Sequence, residues 1–153
     1  MKFYDLLMEK GKEEGIIKNV VGGIVLNSQN EILIMTRKTD DFMGGIDELP
    51  SGNMDNGENI YQALIREIKE ETNLDVAIDT RFREITTYSP KPEVLKDVIY
   101  FIAISKSDDV IIQKSELKAS KWLDIHEALG LVTYEDDKKI LKKAIKYIEN
   151  NNL

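Results

Sequence analysis

The chain has 153 residues, enough for one domain with a sizeable core, and carries a net charge of −7 with a pI near 4.9. That balance argues against binding duplex nucleic acid through its phosphate backbone. The lack of any cysteine excludes disulfides, thiolate chemistry and structural zinc, and no run approaches the ~18 consecutive apolar residues of a membrane span.

In chain order, Phe3 to Glu14 reads as a short helix closed by Gly15. The first ten residues contain no apolar segment or cleavage site of a secretion signal, so the expected compartment is the cytosol. Ile16 to Leu26 and Glu31 to Arg37 read as strands joined by the polar turn Asn27-Ser28-Gln29-Asn30. Asp40 to Gly45 reads as a loop and Ile60 to Thr72 as a helix. Val76 to Ile78, Phe82 to Tyr88 and Lys96 to Ser105 are further strands; between the last two, the prolines of Ser89-Pro90-Lys91-Pro92-Glu93 are expected to break any ladder. Lys121 to Leu123 is a short strand, and Asp124 with Glu127 forms a capping box. A last helix, Tyr134 to Asn150, carries Ile140, Leu141, Ala144, Ile145 and Ile148 at core spacing, with Trp122 expected to pack it against the sheet. Strands with helices before, between and after predict an α/β sandwich with a mixed sheet, formed by residues 1–153 as a single domain.

The helix from Ile60 to Thr72 is anomalous. Its core stripe at i, i+3, i+4 and i+7 runs through Ile60, Ala63, Leu64, Glu67, Ile68 and Glu71. At ~100° per residue, Glu67 and Glu71 fall within about 20° of the meridian of Ile60. Solvated acidic faces lie opposite the apolar stripe, whereas these two carboxylates lie on it, with Glu70 flanking. Glu70 and Glu71 also sit in the last turn, where the helix dipole disfavours negative charge, and the three repel one another. Such an arrangement calls for a compensating cation, and oxygen-only ligands suggest Mg²⁺ or Mn²⁺.

The stretch Gly52 to Leu74 resembles the Nudix box, G-x5-E-x7-R-E-U-x-E-E-x-G-U with U a bulky apolar residue. Gly52, Glu58, Arg66, Glu67, Ile68, Glu70, Glu71 and Leu74 fill it in register. Asn73 stands where the pattern has Gly, at a position expected to be left-handed, where Asn is the next best residue. Upstream, Glu48-Leu49-Pro50-Ser51-Gly52 is similar to the family lead-in E-L-P-G-G, with Ser51 replacing the first Gly. Ser51 either adds strain, if that Gly supplied positive φ, or narrows the site.

The resemblance implies the α/β/α sandwich with the box as loop-helix-loop. It also implies metal ligation by Glu67, Glu70, Glu71 and the Gly52 carbonyl, with Glu67 as candidate base and Glu70 beside it in the catalytic set. Glu58 is a ligand or a favourable charge at the helix N-terminus. Arg66 is read as orienting Glu58 or Glu70. Arg37 either meets a phosphate or pairs with Asp40 or Asp41. Phe42 and Tyr88, with the Tyr88 to Glu93 loop and Tyr134, are candidates for contacting the base; Tyr88 and Tyr100 are alternatively core. Glu116 reads as a solvated loop residue, or as a further ligand or base. His126, inside the cap at Asp124, reads as a surface residue.

The implied activity is Mg²⁺-dependent hydrolysis of a diphosphate bond in a nucleoside diphosphate linked to another group. Nucleoside triphosphates, oxidised ones among them, rank first; dinucleoside polyphosphates and ADP-ribose follow. A non-catalytic nucleotide sensor is the alternative from another class, and an RNA-end-processing enzyme a third, disfavoured by the acidic surface. The partner is a small nucleotide, with no membrane and no duplex nucleic acid; a homodimer is left open.

Overall fold

The computed structural model describes residues 16–39, 45–91 and 94–151. The predicted N-terminal helix, Phe42 and the side chain of Tyr88 lie outside what it describes. Seven strands form a mixed sheet: β1 (Ile16–Leu26), β2 (Ile32–Arg37), β3 (Ile46–Glu48), β4 (Ser51–Asn53), β5 (Val76–Lys91), β6 (Val94–Ser105) and β7 (Leu117–Leu123). Helices α1 (Ile60–Thr72), α2 (Ile125–Leu131) and α3 (Glu135–Asn150) complete the described elements. The central path runs β3-β2-β1-β6-β5, with β4 added to β1 and β7 to β2. Only β1 and β6 run parallel among these pairings.

Alternation along the central strands separates two apolar cores. Val20, Ile24, Ile32, Ile34, Val98, Tyr100 and Ile102 face α2 and α3. Val21, Val25, Leu33, Met35, Ile99, Phe101 and Ala103 face the α1 side, with Ala63, Leu64 and Ile68. Strands covered on both faces read as continuous apolar runs, which is why β1 and β6 were legible in the sequence.

Several elements depart from expectation. The two strands expected within 76–88 are one, Val76–Lys91, with its register to β6 shifting between Asp79 and Glu84. At that shift Asp79 accepts from the backbone N–H and the guanidinium of Arg81, at 3.0–3.1 Å, a local turn that a β-bulge tolerates. Pro90 does not end the ladder, which resumes at Lys91↔Val94 after a second shift beyond Tyr88; Pro92 lies outside the described residues. Pro90 sits in that irregularity on an edge strand, where a missing N–H costs little. β7 starts at Leu117, four residues before the predicted start at Lys121. Trp122 packs on the α1 side and donates Nε1–H to Asp108 O at 2.9 Å, while its neighbour Leu123 points to the other core. The strand alternation thus turns Trp122 away from the C-terminal helix.

Candidate functional site

The site is built around α1, whose ends are fixed by two asparagines. Asn59 Oδ1 accepts the Gln62 N–H at 2.9 Å and Gln62 Oε1 accepts the Asn59 N–H at 3.0 Å, a reciprocal capping box. At the other end Asn73 is left-handed, with φ 63° and its N–H bonded to Lys69 O at 2.9 Å. Between the caps Ala63, Leu64, Ile68, Glu71 and Thr72 are buried. Glu71 therefore occupies the core stripe. The Glu67 side chain is 16% exposed and that of Glu70 53%, so Glu67 turns inward and Glu70 flanks.

β4 presents Gly52 to Glu67. The register Val21↔Gly52 lays β4 along β1, beneath the inward face of α1. A Cβ at position 52 would overlap the carboxyl group of Glu67, so only glycine allows this approach. Ser51, also in β4, pairs with Gly22 of β1. Among the described residues the only positive-φ positions other than glycine are Asn30 and Asn73. Ser51 carries no left-handed strain, and its side chain is part of a cavity wall.

Arg66 gathers the remaining carboxylates. Its Nε and Nη2 clasp Glu58 at 2.7 and 3.0 Å, Nη1 reaches Glu67 at 2.9 Å and Glu70 at 3.2 Å, and Nη2 also donates to Asn53 O at 2.9 Å. Bidentate, charge-assisted bonds of this kind fix geometry as well as adding energy. The Arg66 hydrogen bonds hold the Glu58 carboxyl below its ordinary range, helped by the Asp55 N–H that bonds Glu58 at 2.9 Å. Burial pushes Glu67 up, and Arg66 pulls the other way.

Glu71 has a strongly perturbed environment. Burial, then the charge of Glu67, raises its carboxyl from 4.5 to about 8; Arg37 opposes, and Glu48 and Glu116 add to the rise. Two glutamates that the sequence placed outside the box are thus close enough to Glu71 to be felt. Glu116 is exposed, yet its loop is tied to the end of α1: Ile111 N–H bonds Thr72 O and Gln113 N–H bonds Glu71 O, both at 3.0 Å. Arg37 pairs with Glu48, at 2.6 Å across β2 and β3, because the Arg37↔Ile46 register sets Glu48 beside it; the expected partners Asp40 and Asp41 lie outside the described residues.

This donor set fits a hard divalent cation. A buried carboxyl crowded by three others takes either a proton or a positive ion, and all the donors are oxygens. Among the described residues no three acidic groups are arranged to hold one ion together. Arg66 instead occupies Glu67 and Glu70, which would have to leave its Nη1 to close on an ion.

Beside the carboxylates lies a cavity of about 610 Å³. It is lined by Arg37, Glu48 and Ser51 from β2 to β4, by Thr86, Val98 and Tyr100 of β5 and β6, and by Tyr134 to Asp137 at the start of α3. Tyr100 occupies space that a side chain on Gly22 would take, since a Cβ there would lie 2.5 Å from Tyr100 Cε1. Tyr100 donates its hydroxyl to Asp137 Oδ1 at 2.9 Å. Burial raises the Asp137 carboxyl from 3.8 to about 6, against the Tyr100 hydroxyl and the Leu49 N–H that favour the ion. Asp137 escaped the sequence reading although it sits three and four residues before Ile140 and Leu141, on the core stripe of α3. His126 is at the surface, 3.9 Å from Glu149.

The NUDIX domain profile matches residues 17–144. The chain is 33% identical over 134 residues to Nudix hydrolase 8 of Arabidopsis thaliana, covering 84% of this chain and 35% of that protein. It is 34% identical over 98 residues to an 8-oxo-(d)GTP phosphatase of Mycolicibacterium smegmatis, covering 64% of this chain and 30% of that protein. The chain spans about a third of the length of these two relatives. Among solved structures, a C. elegans Ap4A hydrolase binary complex has a TM-score of 0.76 at 25% identity, covering 87% of this chain and 98% of that one.

Proposed function

This chain belongs to the Nudix family, and from that premise we propose that it hydrolyses a diphosphate bond in a nucleotide derivative with the help of Mg²⁺ or Mn²⁺. The observation that carries this reading is the buried Glu71, crowded by Glu67, Glu48 and Glu116. A protein that only sensed nucleotides has no need for so costly a cluster.

Glu67, Glu70, Glu71 and the Gly52 carbonyl would hold the ion. When bound it would neutralise phosphate charge and assist the attacking water. Glu67 is the candidate base. Its inward position and raised affinity for a proton suit it to take one from water as oxygen attacks phosphorus in line. Arg66 holds Glu58 and steers Glu67 and Glu70 without meeting the substrate itself. Arg37 lines the cavity and feels the charge of Glu71, and it would meet a phosphate by exchanging Glu48 for it. The products are a nucleoside monophosphate and a phosphorylated remainder.

Nucleoside triphosphates, oxidised ones included, rank first, giving the monophosphate and pyrophosphate. The 8-oxo-(d)GTP phosphatase relative supports this order, and the Ap4A hydrolase likeness supports dinucleoside polyphosphates as the second reading. The cysteine-free composition suits a cytosolic setting. A nucleotide panel with Mg²⁺, resolved by chromatography of the products, tests the assignment. The expected result is release of pyrophosphate and monophosphate from a triphosphate. Faster turnover of ADP-ribose would reverse the ranking, and full turnover in excess chelator would end the metal-hydrolase reading.

A further inference from the structure

Four positive side chains converge on a second hollow, of about 440 Å³, between β5 and the end of α3: Arg81 and Arg83 from the strand, Lys143 and Lys146 from the helix. It shares no lining residue with the cavity beside the carboxylates, and Lys146 lies about 14 Å along α3 from Asp137, at ~1.5 Å per residue. In a chain of net charge −7 such a cluster runs against the overall field.

Lysines opposite an apolar stripe are ordinary on an exposed helix. The arginines reach the hollow for another reason, the jump in register between β5 and β6. Asp79 pairs with Ile102 and Glu84 with Tyr100, so Thr80, Arg81, Phe82 and Arg83 stand opposite Phe101 alone. Phe82 is buried in the α3-side core and anchors this bulge, while Arg81 and Arg83 are exposed. Bulges that re-aim side chains in this way are built features of a fold.

Buried Asp79 accepts from Nε and Nη2 of Arg81, each at 3.0 Å, and from the Tyr147 hydroxyl at 3.1 Å. The Tyr147 ring lies against the same guanidinium, its centroid 6.0 Å from the Arg81 Cζ. Arg81 is thereby held in place with its Nη1 turned to no described residue, and a preorganised guanidinium loses little freedom on meeting an anion. Glu84 answers Lys143 at 3.1 Å. Among the described residues no carboxylate pairs with Arg83 or Lys146. Asp79 and Glu84 thus balance two of the four cations and leave two. The C-terminal end of α3 adds only about half a negative charge, and Tyr147 O there already accepts from the Asn151 N–H and Nδ2. The hollow stays positive.

We propose that this hollow is a second, metal-independent binding site for linked phosphate groups, the chain of a free oligophosphate or of a nucleotide, with Arg81 and Arg83 meeting the anion from the strand and Lys143 and Lys146 from the helix. Fork-shaped guanidiniums and compact ammonium charges both suit phosphate oxygens. A chain of phosphates reaches both elements, whereas a single phosphate meets one.

The experiment is calorimetric titration of the whole chain, freed of divalent metal, with inorganic tripolyphosphate, ATP, AMP and orthophosphate at low and high salt. Tripolyphosphate should bind more tightly than orthophosphate, and its affinity should fall as salt rises. The double variant Arg83→Ala/Lys146→Ala should weaken it about tenfold or more. Lys106→Ala/Lys121→Ala removes the same charge from exposed lysines that do not line the hollow, and should change the affinity less than twofold. Arg37→Ala, which empties the other cavity of its cation, should leave tripolyphosphate binding unchanged. Both residues of the first pair are exposed, so that variant should melt as wild type does, which separates lost binding from lost folding. ATP equal to tripolyphosphate, with AMP weak, assigns the hollow to the phosphate chain alone. ATP tenfold tighter, and equally dependent on Arg83 and Lys146, assigns it to a nucleotide. No binding of tripolyphosphate, equal weakening by the two double variants, or loss with Arg37→Ala but not with Arg83→Ala/Lys146→Ala overturns the site, whatever the outcome of the hydrolysis panel.

Discussion

Gly52 and Glu67 are in such close contact that the space for a side chain on one is filled by the carboxyl group of the other. The end of the Glu67 side chain, the proposed base, thus lies where any side chain at position 52 would stand. Gly52→Ala should therefore push Glu67 out of place while leaving both cores untouched. We expect kcat to fall by roughly tenfold or more with little loss of stability, because the displaced atoms are the end of a flexible side chain. Steady-state kinetics alongside thermal melting checks this; wild-type kcat would show that the Glu67 position is not set by Gly52.

The sequence made this helix legible because its carboxylates interrupt an apolar stripe, a signal that needs no tertiary information. The same signal marked Asp137 on α3, where it passed unnoticed beside Ile140 and Leu141. Strands β1 and β6 were legible from their long apolar runs. The three-residue strands β3 and β4 were not, because elements so short have no periodicity and form only by pairing with β2 and β1. Glu48 and Glu116 reach Glu71 only through the fold, β3 bringing one and the loop before β7 the other. Arg37 likewise has a partner eleven residues on, chosen by strand register.

Arg66 donates to Glu58, Glu67, Glu70 and Asn53 O from one planar group. Lysine has a single charged nitrogen and cannot reproduce the fork. Arg66→Lys should lower kcat more than it lowers stability, since the side chain is 25% exposed and its ion pairs are partly screened. A stability loss of about 1 kcal/mol or less with a kcat loss of roughly tenfold or more is the expected pattern. If kcat is retained while the protein is strongly destabilised, Arg66 is a structural clasp and does not position the proposed catalytic carboxylates.

Asn73 closes α1 at φ 63°. Asn73→Gly should be neutral or slightly stabilising at this conformation, whereas Asn73→Val should cost of order 1 kcal/mol or more, because a β-branched residue resists positive φ. Denaturant melts of the two variants give the comparison directly. Equal stability would mean that the end of α1 rearranges to relieve the strain.

Glu71 couples the strain of the site to pH. Burial and the Glu67 charge raise its carboxyl from 4.5 to about 8, so the folded state binds the proton more tightly than the unfolded chain does. The contribution to stability is then fully present below about 4.5 and is lost as pH rises toward about 8. For the metal-free protein this predicts a Tm that falls between pH 5 and pH 8, by roughly 2–4 °C for each kcal/mol lost. Glu71→Gln removes the titrating group, so its Tm should change less over the same window and exceed that of wild type at pH 8, with most activity gone. Added Mg²⁺ should raise the wild-type Tm most at the alkaline end, where the carboxylate is free to bind it, and do little for Glu71→Gln. A wild-type Tm that holds level or rises from pH 5 to pH 8 in chelator, with Glu71→Gln following the same curve, would remove Glu71 as the strained group at the centre of the site.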